Sequence, residues 1–418
     1  MTSTSSKVLP FEQARHLVEE HASRLRPRGR ELLSLLDANG RILAEAITAD
    51  RDFPPFRRAA RDGYAVRAAD LATVPATLEV VAEIRAGATT EIAPLQPGQA
   101  ISIMTGAPAP EGADAVVMVE HTSHDGARVE VRKSIAAGEN IVPAGSEAKR
   151  GEQLLSPGTR LDYAAIALAA ACGRSRVVTF TKPRIAVLST GDEVVDVDIS
   201  PGPHQIRNSN SYSLAAQIAA AGGEPVLLPI APDEPKRLSE LLREGLEADL
   251  LLIAGGVSMG KYDLVEQALA DLKAEFFFTG AKIQPGKPIV FGAVPCATPP
   301  RANSGARKYF LGLPGNPIST MVCFELFAQP LIGSLAGLQP RKLVFGYARL
   351  KSAIKTKPGL KRFLPAQLSG EFENSEVELV PWQGSGDLAS VARSSCYIVV
   401  PPDRESIPPG EFVPVLLR

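Results

Sequence analysis

The chain has 418 residues, too many for one hydrophobic core, so a division into three or four domains is expected. Its 45 Lys and Arg nearly balance 46 Asp and Glu, which removes the global field that draws a chain to nucleic acid or an acidic membrane and leaves any anion site local. Cys172, Cys296, Cys323 and Cys396 lie far apart without a Cys-x-x-Cys spacing, so all four read as structural and buried, and neither a zinc site nor a disulfide scaffold is expected.

The first segment, Met1 to Lys7, is a polar tail, and no run approaches the roughly 18 apolar residues of a membrane span, which gives the expectation of a soluble, cytoplasmic protein. From Pro10 to Ser23, Phe11, Ala14, Leu17 and Val18 recur at helical spacing. Between Asp50 and Asn140 the pattern becomes short β-branched runs at Leu78, Ala100, Ala115 and Val129 separated by Gly and Pro, a small β domain. Leu161 to Cys172 is Ala-rich and helical, ended by Gly173, and it resumes the character of the first segment, so the β domain reads as an insertion. After Pro183, strands (Arg184 to Leu188, Val226 to Ile230, Leu250 to Ala254) alternate with helices (Ser211 to Ala221, Pro235 to Leu246, Leu264 to Leu272), the pattern of a mostly parallel, doubly wound sheet. A further helix is expected from Pro317 to about Phe327 with Asn316 as its N-cap. Pro295 to Lys308 reads as a solvated hairpin loop, and from Arg341 onward only short strands with Gly and Pro turns are expected.

Three loops follow apolar runs of strand character: Ser189-Thr190-Gly191-Asp192-Glu193, Gly255-Gly256-Val257-Ser258-Met259-Gly260, and Gly312-Leu313-Pro314-Gly315-Asn316-Pro317. In an open α/β sheet such loops converge on one crevice, so they would line a single anion-accepting cleft. The glycines let backbone amides approach a phosphate, although a glycine pair in a strand-to-helix turn is as readily structural. Asp192, Glu193 and Asp263 fall on the same edge, and carboxylates beside an anion cradle imply an intervening hard cation, most simply Mg²⁺. Taken singly, Asp263 reads as a helix cap and Asp192 as a turn stabiliser. Lys282 and Lys287 flank Gln284-Pro285-Gly286 as point charges for an oxyanion, and Arg207 with Asn208, Ser209 and Asn210 adds donors ahead of a helix; singly, each is also a solvated surface charge.

In chain order, Arg61-Asp62-Gly63-Tyr64-Ala65-Val66, Ile103-Met104-Thr105-Gly106-Ala107-Pro108, Pro110 to Val117, Ser189 to Glu193, Gly255 to Ser258 with Asp263, Pro285-Gly286-Lys287-Pro288 and Leu313 to Pro317 resemble the signature motifs of the molybdopterin molybdenumtransferase family, the MoeA family that includes the gephyrin E domain. The resemblance runs from about Phe11 to the C-terminus. It implies a multidomain α/β protein, with a discontinuous N-terminal helical domain (7–48 and 141–180), an inserted β domain (49–140), a molybdopterin-binding doubly wound α/β domain (181–335) and a C-terminal β domain (340–418). It also implies an elongated homodimer whose cleft combines the α/β domain of one subunit with the inserted β domain of the other. The implied activity is insertion of molybdate into adenylylated molybdopterin with release of AMP, dependent on Mg²⁺, downstream of a molybdopterin adenylyltransferase.

Carried over by position, the resemblance gives catalytic roles to Asp62, Thr105, Glu193, Asp263, Lys282 and Lys287. It gives cofactor binding to Ser189, Thr190, Gly191, Arg207, Asn210, Gly255, Gly256, Val257, Ser258, Pro314, Gly315, Asn316 and Ser385, and metal binding to Asp192, Glu193, Asp233 and Asp263. The chain departs from the family pattern at Ala59, Arg61, Glu147, Asn208 and Gln284, where Ser, Met, Asp, Asp and Lys respectively are common. Two other readings remain: a nucleotide enzyme like molybdopterin adenylyltransferase, which leaves Phe11 to Ala171 and Arg341 to Arg418 unexplained, and a non-catalytic cofactor-binding scaffold, against which the retention of Asp62, Glu193, Asp263 and Lys287 weighs.

Overall fold

A computed structural model describes residues 7–87, 93–256, 264–296, 307–339 and 342–418. The chain divides into two compact units: one is built from the residues up to Ala44, Pro157–Asp162 and Val177–Arg418, the other from Glu45–Ser156 and Tyr163–Arg176.

In the larger unit the apolar runs become the centre of a six-stranded sheet. Its order is Glu224–Leu227, Arg184–Ser189, Leu250–Ala254, Arg307–Leu313, Val290–Pro295, Glu275–Phe278. The first four strands are parallel, Val290–Pro295 runs antiparallel to them, and Glu275–Phe278, antiparallel to Val290–Pro295, runs with the first four again. Because side chains alternate along a strand, each central strand feeds two apolar layers. Ile185, Val187, Leu250 and Leu252 pack with Leu214 and Ile218 of the helix Ser209–Ala221 and with Phe11 and Val18 of the helix Phe11–Ala22. Ala186, Leu188, Leu251 and Ile253 pack with Leu238 and Leu241 of Pro235–Gly245 and with Val265 of Leu264–Asp271. The strand expected at Val226 to Ile230 starts earlier and ends at Leu227, where pairing with Val187 stops.

The helix beginning at Pro317 runs to Leu335, past the expected end at Phe327. A π turn over Phe324–Ala328 precedes Pro330 and shifts the hydrogen-bond pattern, so a residue without an N–H is carried in the first turn of the next α segment instead of ending the helix. This helix is long and apolar enough to cross a membrane by length and composition, although no such run was expected; 78% of it is buried inside the fold. Asn316 stands at its N-cap position, but its side chain makes no capping hydrogen bond.

The C-terminal strands close on themselves. Lys361–Ser369 pairs with both Glu376–Leu379 and Cys396–Val400, and Gly346–Leu350 and Phe412–Leu417 complete the circuit. The expectation of short strands alone is corrected: Lys361–Ser369 has 9 residues, and Leu388–Ala392 is helical. The short strand Ile283–Gln284 joins the edge of this sheet beside Lys361.

The smaller unit contains a six-stranded sheet of order Ala115–Met118, Gly63–Val66, Gln99–Ile103, Ala76–Ile84, Arg128–Val131, Thr122–Asp125. Gly63 is held to its neighbour so closely that a Cβ would lie 1.9 Å from the Val117 carbonyl oxygen. Its helix, Tyr163–Ala171, buries Ala165 and Ala169. Cys172, Cys323 and Cys396 are buried, whereas Cys296 is only half-buried.

Candidate active site

The strand order places Arg184–Ser189 between Glu224–Leu227 on one side and Leu250–Ala254 on the other. The chain therefore leaves two adjacent parallel strands in opposite directions, which opens a crevice at their carboxyl ends. A cavity of 370 Å³ lies there, lined by Thr190, Glu193, Arg207, Asn210, Gly255, Gly256 and Pro314 to Asn316 among others. A larger cavity of 460 Å³, between Ala22 to Pro27, Phe180 and Ser334 to Gln339, holds none of the residues singled out by sequence.

Backbone bonds fix the crevice loops. The Thr190 amide donates to the Ala254 carbonyl and the Gly191 amide to that of Ala231, which brings the loop before Asp233 beside Asp192. The Asp233 amide donates to Asp192 Oδ1 at 3.0 Å, so Asp192 does stabilise a turn. Burial, followed by the negative charges of Asp192 and Glu193, pushes the Asp233 carboxyl above its ordinary range. Gly191 has φ +125°, and a Cβ there would lie 2.4 Å from Glu193 Oε2: the Glu193 carboxylate folds back over the glycine. Val194–Val195 pairs in parallel with Ile206–Arg207, and Arg207 Nε donates to the Val197 carbonyl at 3.0 Å.

The Gly255-Gly256 turn has another basis than the expected close approach of amides alone. Both residues have left-handed backbone (φ +97° and +63°), and a Cβ on either would lie 3.0 and 2.8 Å from Thr190 Oγ1. The Gly255 amide is already donated to the Leu313 carbonyl, so it is not open to a ligand. Thr190 is 5% exposed, and its hydroxyl has no hydrogen-bond partner among the described residues. Asn210 donates Nδ2 to the Gly315 carbonyl at 2.7 Å, which ties the second helix N-terminus to the third crevice loop and leaves Oδ1 without a partner among the described residues. Ser189, in contrast, is buried with its hydroxyl bonded to Asn208 Oδ1 at 3.0 Å and to Ser211 Oγ at 2.9 Å, so its side chain is committed within the fold. Ser211 is the contributor left without a role by the sequence, and Asn208, expected among the donors ahead of the helix, instead caps it and holds Ser189; the Asn-x-x-Ser spacing was the available signal.

Ser385 arrives by its backbone. Its carbonyl accepts the Ile318 amide at 3.0 Å in the first turn of the long helix, so the loop after Trp382 sits beside Asn316. Lys282 and Lys287 are exposed on one turn, closed by the Ala281 amide donating to the Lys287 carbonyl, and neither lines the cavity. Val257, Ser258 and Asp263 lie outside the described residues. Among the described residues no three His, Cys, Asp or Glu side chains gather as a metal site.

In the smaller unit, Asp62 and Thr105 are brought together by the pairing of Gly63 with Ile103. The Thr105 amide donates to Asp62 Oδ1 at 2.6 Å, and this bond, with one from the Thr105 hydroxyl, holds the exposed Asp62 carboxyl below its ordinary range.

The chain matches three consecutive family descriptions: "MoeA N-terminal region (domain I and II)" over residues 9–173, "Probable molybdopterin binding domain" over 186–334, and "MoeA C-terminal region (domain IV)" over 347–417. It is 38% identical to a molybdopterin molybdenumtransferase of Nostoc sp., covering 92% of this chain and 88% of that one. It is 34% identical to the corresponding Bacillus subtilis protein, covering 93% and 89%. The solved molybdopterin biosynthesis MoeA protein of Pyrococcus horikoshii OT3 superposes with a TM-score of 0.78 at 30% identity, over 99% of this chain and 100% of that one. With its sheet order, crevice and closed C-terminal sheet in accord with three matched regions that together span most of its length, this chain belongs to the molybdopterin molybdenumtransferase family, a family of enzymes.

Proposed function

We propose that the chain takes adenylylated molybdopterin and molybdate and releases AMP and molybdenum cofactor, the last step of cofactor assembly. The observation that carries this reading is the 370 Å³ cavity at the switch point of the parallel sheet, where the loops after three strands meet. Both substrates are anions, and the cavity wall carries a helix N-terminus, polar side chains and Arg207, with the Glu193 carboxylate beside them.

In this reading Thr190 and Asn210 bind and orient the adenylylated linkage with Gly191, Arg207, Gly256, Val257, Ser258 and the Pro314 to Asn316 loop. Lys282, Lys287 and Ser385 hold the incoming oxyanion, and Asp62 with Thr105 supplies a fixed anion and a hydroxyl. Among the described residues the carboxylates form no all-protein cage, and they suit Mg²⁺ held in the manner usual for that ion, through one or two carboxylates and the substrate's own phosphates. Asp233, crowded by Asp192 and Glu193, gains most from a cation there, with Glu193 as its partner ligand and Asp263 as a further one. Bound there, Mg²⁺ supplies charge neutralisation at the phosphates. The protein works as a cytoplasmic homodimer fed by a molybdopterin adenylyltransferase.

The test is AMP release by the purified chain from adenylylated molybdopterin, with molybdate and Mg²⁺ each omitted in turn. Release that requires both supports the reading; release unaffected by either omission contradicts it.

A further inference from the structure

Arg362 is a buried cation whose guanidinium has no counter-ion among the described residues. The residue is 7% exposed, and its fork makes one bond, from Nη1 to the Leu360 carbonyl at 3.1 Å. Among the described residues the other N–H groups have no partner, and no carboxylate pairs with them. Burial pulls the guanidinium below its ordinary pKa, with no neighbouring charge to offset the effect. Nε and Nη2 still keep some contact with solvent, since neither belongs to the sealed polar atoms that lack a partner. A guanidinium so placed gives up hydration without gaining an opposite charge, which costs stability unless an anion supplies one.

Strand register decides what stands beside it. Ile283–Gln284 pairs in parallel with Lys361–Ser369, Gln284 opposite Arg362 and Ile283 opposite Lys361, and the Lys282 carbonyl accepts the Lys361 amide. Ile283 and Phe363 lie in the core shared with the long helix, and Lys361 Nζ sits 5.0 Å from the centre of the Phe11 ring in that core. Side chains alternate along each strand, so Lys282, Gln284 and Arg362 share the other face. Lys282 is exposed and Gln284 half-buried, and neither side chain has a hydrogen bond or ion pair among the described residues. One face thus gathers an ammonium, an amide and a planar fork of donors. It lies a short turn from the crevice, because Pro288, next to Lys287, lines the 370 Å³ cavity. We infer that Arg362 is an oxyanion-binding residue, which with Lys282 and the Gln284 amide holds a tetrahedral dianion of the molybdate class. The fork matches two oxygens of such an ion, and Lys282 adds a point charge on the exposed side. The identity of the ion rests on the proposed reaction, whereas the binding role of Arg362 does not.

Molybdate binding to the full chain is measured by titration calorimetry beside thermal melting, in oxyanion-free buffer, with phosphate and chloride at matched ionic strength as parallel probes. The wild type is expected to bind molybdate and to melt higher as it is added. Arg362→Met keeps an unbranched apolar stem and removes the charge. It is expected to melt at or above the wild type without oxyanion, and to bind molybdate about tenfold or more weakly. Gln284→Glu is nearly isosteric and sets a carboxylate in register beside Arg362 as an internal counter-ion. It is expected to melt above the wild type without oxyanion and to lose molybdate binding to a similar degree, a pairing of gains and losses that a purely structural role would not give.

A wild type that neither binds nor is stabilised by molybdate or phosphate overturns the inference, as does either variant binding molybdate within about twofold of the wild type. If Arg362→Met melts far below the wild type or does not fold, Gln284→Glu decides alone, since it leaves the guanidinium in place. A melting point there below that of the wild type, without oxyanion, then overturns the inference. Arg362-dependent binding in which phosphate and molybdate are equal keeps the oxyanion site and removes its assignment to molybdate. Arg362-dependent molybdate binding in a protein that releases no AMP keeps the site and removes the proposed reaction.

Discussion

Asp62 in the β domain and Asp233 at the α/β crevice are both exposed carboxylates, yet their surroundings push them in opposite directions. Two donors from Thr105 favour the charged form of Asp62, whereas burial and the like charges of Asp192 and Glu193 disfavour the charged form of Asp233. The first is held in its charged form; the second holds its charge less readily than an isolated carboxylate. Surface position alone does not set the role of a carboxylate, and the number of donors and like charges facing it does.

The largest expected effect breaks the crevice side of this contrast. Glu193→Gln removes one of the charges that crowd Asp233, and turnover should fall roughly a hundredfold or more if Glu193 acts in the reaction, while the melting temperature moves by no more than about 2 °C because the side chain is exposed. Steady-state AMP release and calorimetry on the same preparation check both halves, and equal losses in both would make Glu193 a structural residue.

On the β-domain side, Asp62→Asn keeps an oxygen for the Thr105 amide and removes only the charge. Activity should fall about tenfold to a hundredfold without change in folding, as expected for losing a fixed charge in an assembled site. Unchanged AMP release would show that the charge has no part in the reaction.

Gly256→Ala tests whether the crevice is also a stability element. A Cβ there would lie 2.5 Å from Val265 Cγ2 on a residue with φ +63°, so a loss of about 1–3 kcal/mol is expected by denaturant titration. A variant as stable as the wild type would mean that the turn readjusts freely.

The smallest effect concerns pH. With its folded value raised, Asp233 subtracts nothing from stability below the ordinary carboxylate range and its full penalty once the pH exceeds the raised value. Asp233→Asn should therefore equal or slightly exceed the wild type in stability at neutral pH, the difference vanishing toward about pH 4. Asp62 runs the other way: what it contributes is present above its unfolded value and is lost as pH falls through its lower folded value. A neutral-pH loss of stability in Asp233→Asn would contradict the crowding of that carboxylate.

What was legible in the sequence follows from which forces leave a one-dimensional trace. Arg184–Ser189 and Leu250–Ala254 were readable because strands buried on both faces are continuous apolar runs, and the loops after them had to converge. The long helix was cut short in the reading because a π turn that accommodates Pro330 has no sequence period of its own. The closed C-terminal sheet was read as short strands, since the second pairing of Lys361–Ser369 is a long-range contact. Within the crevice, residue types were legible but their commitments were not. Ser189 looked like a ligand contact and is spent on Asn208 and Ser211, and the Gly255 amide is spent on Leu313. Lys282 and Lys287 fell on one turn as expected, outside the cavity wall.

The most direct measurement of the central claim is a crystal structure of the chain with adenylylated molybdopterin bound. The account predicts phosphate density in the 370 Å³ cavity against Thr190, Asn210 and the first turn of Ser209–Ala221. Ligand seated instead in the 460 Å³ cavity beside Arg26 and Phe180, with the switch-point crevice left to solvent, would contradict it.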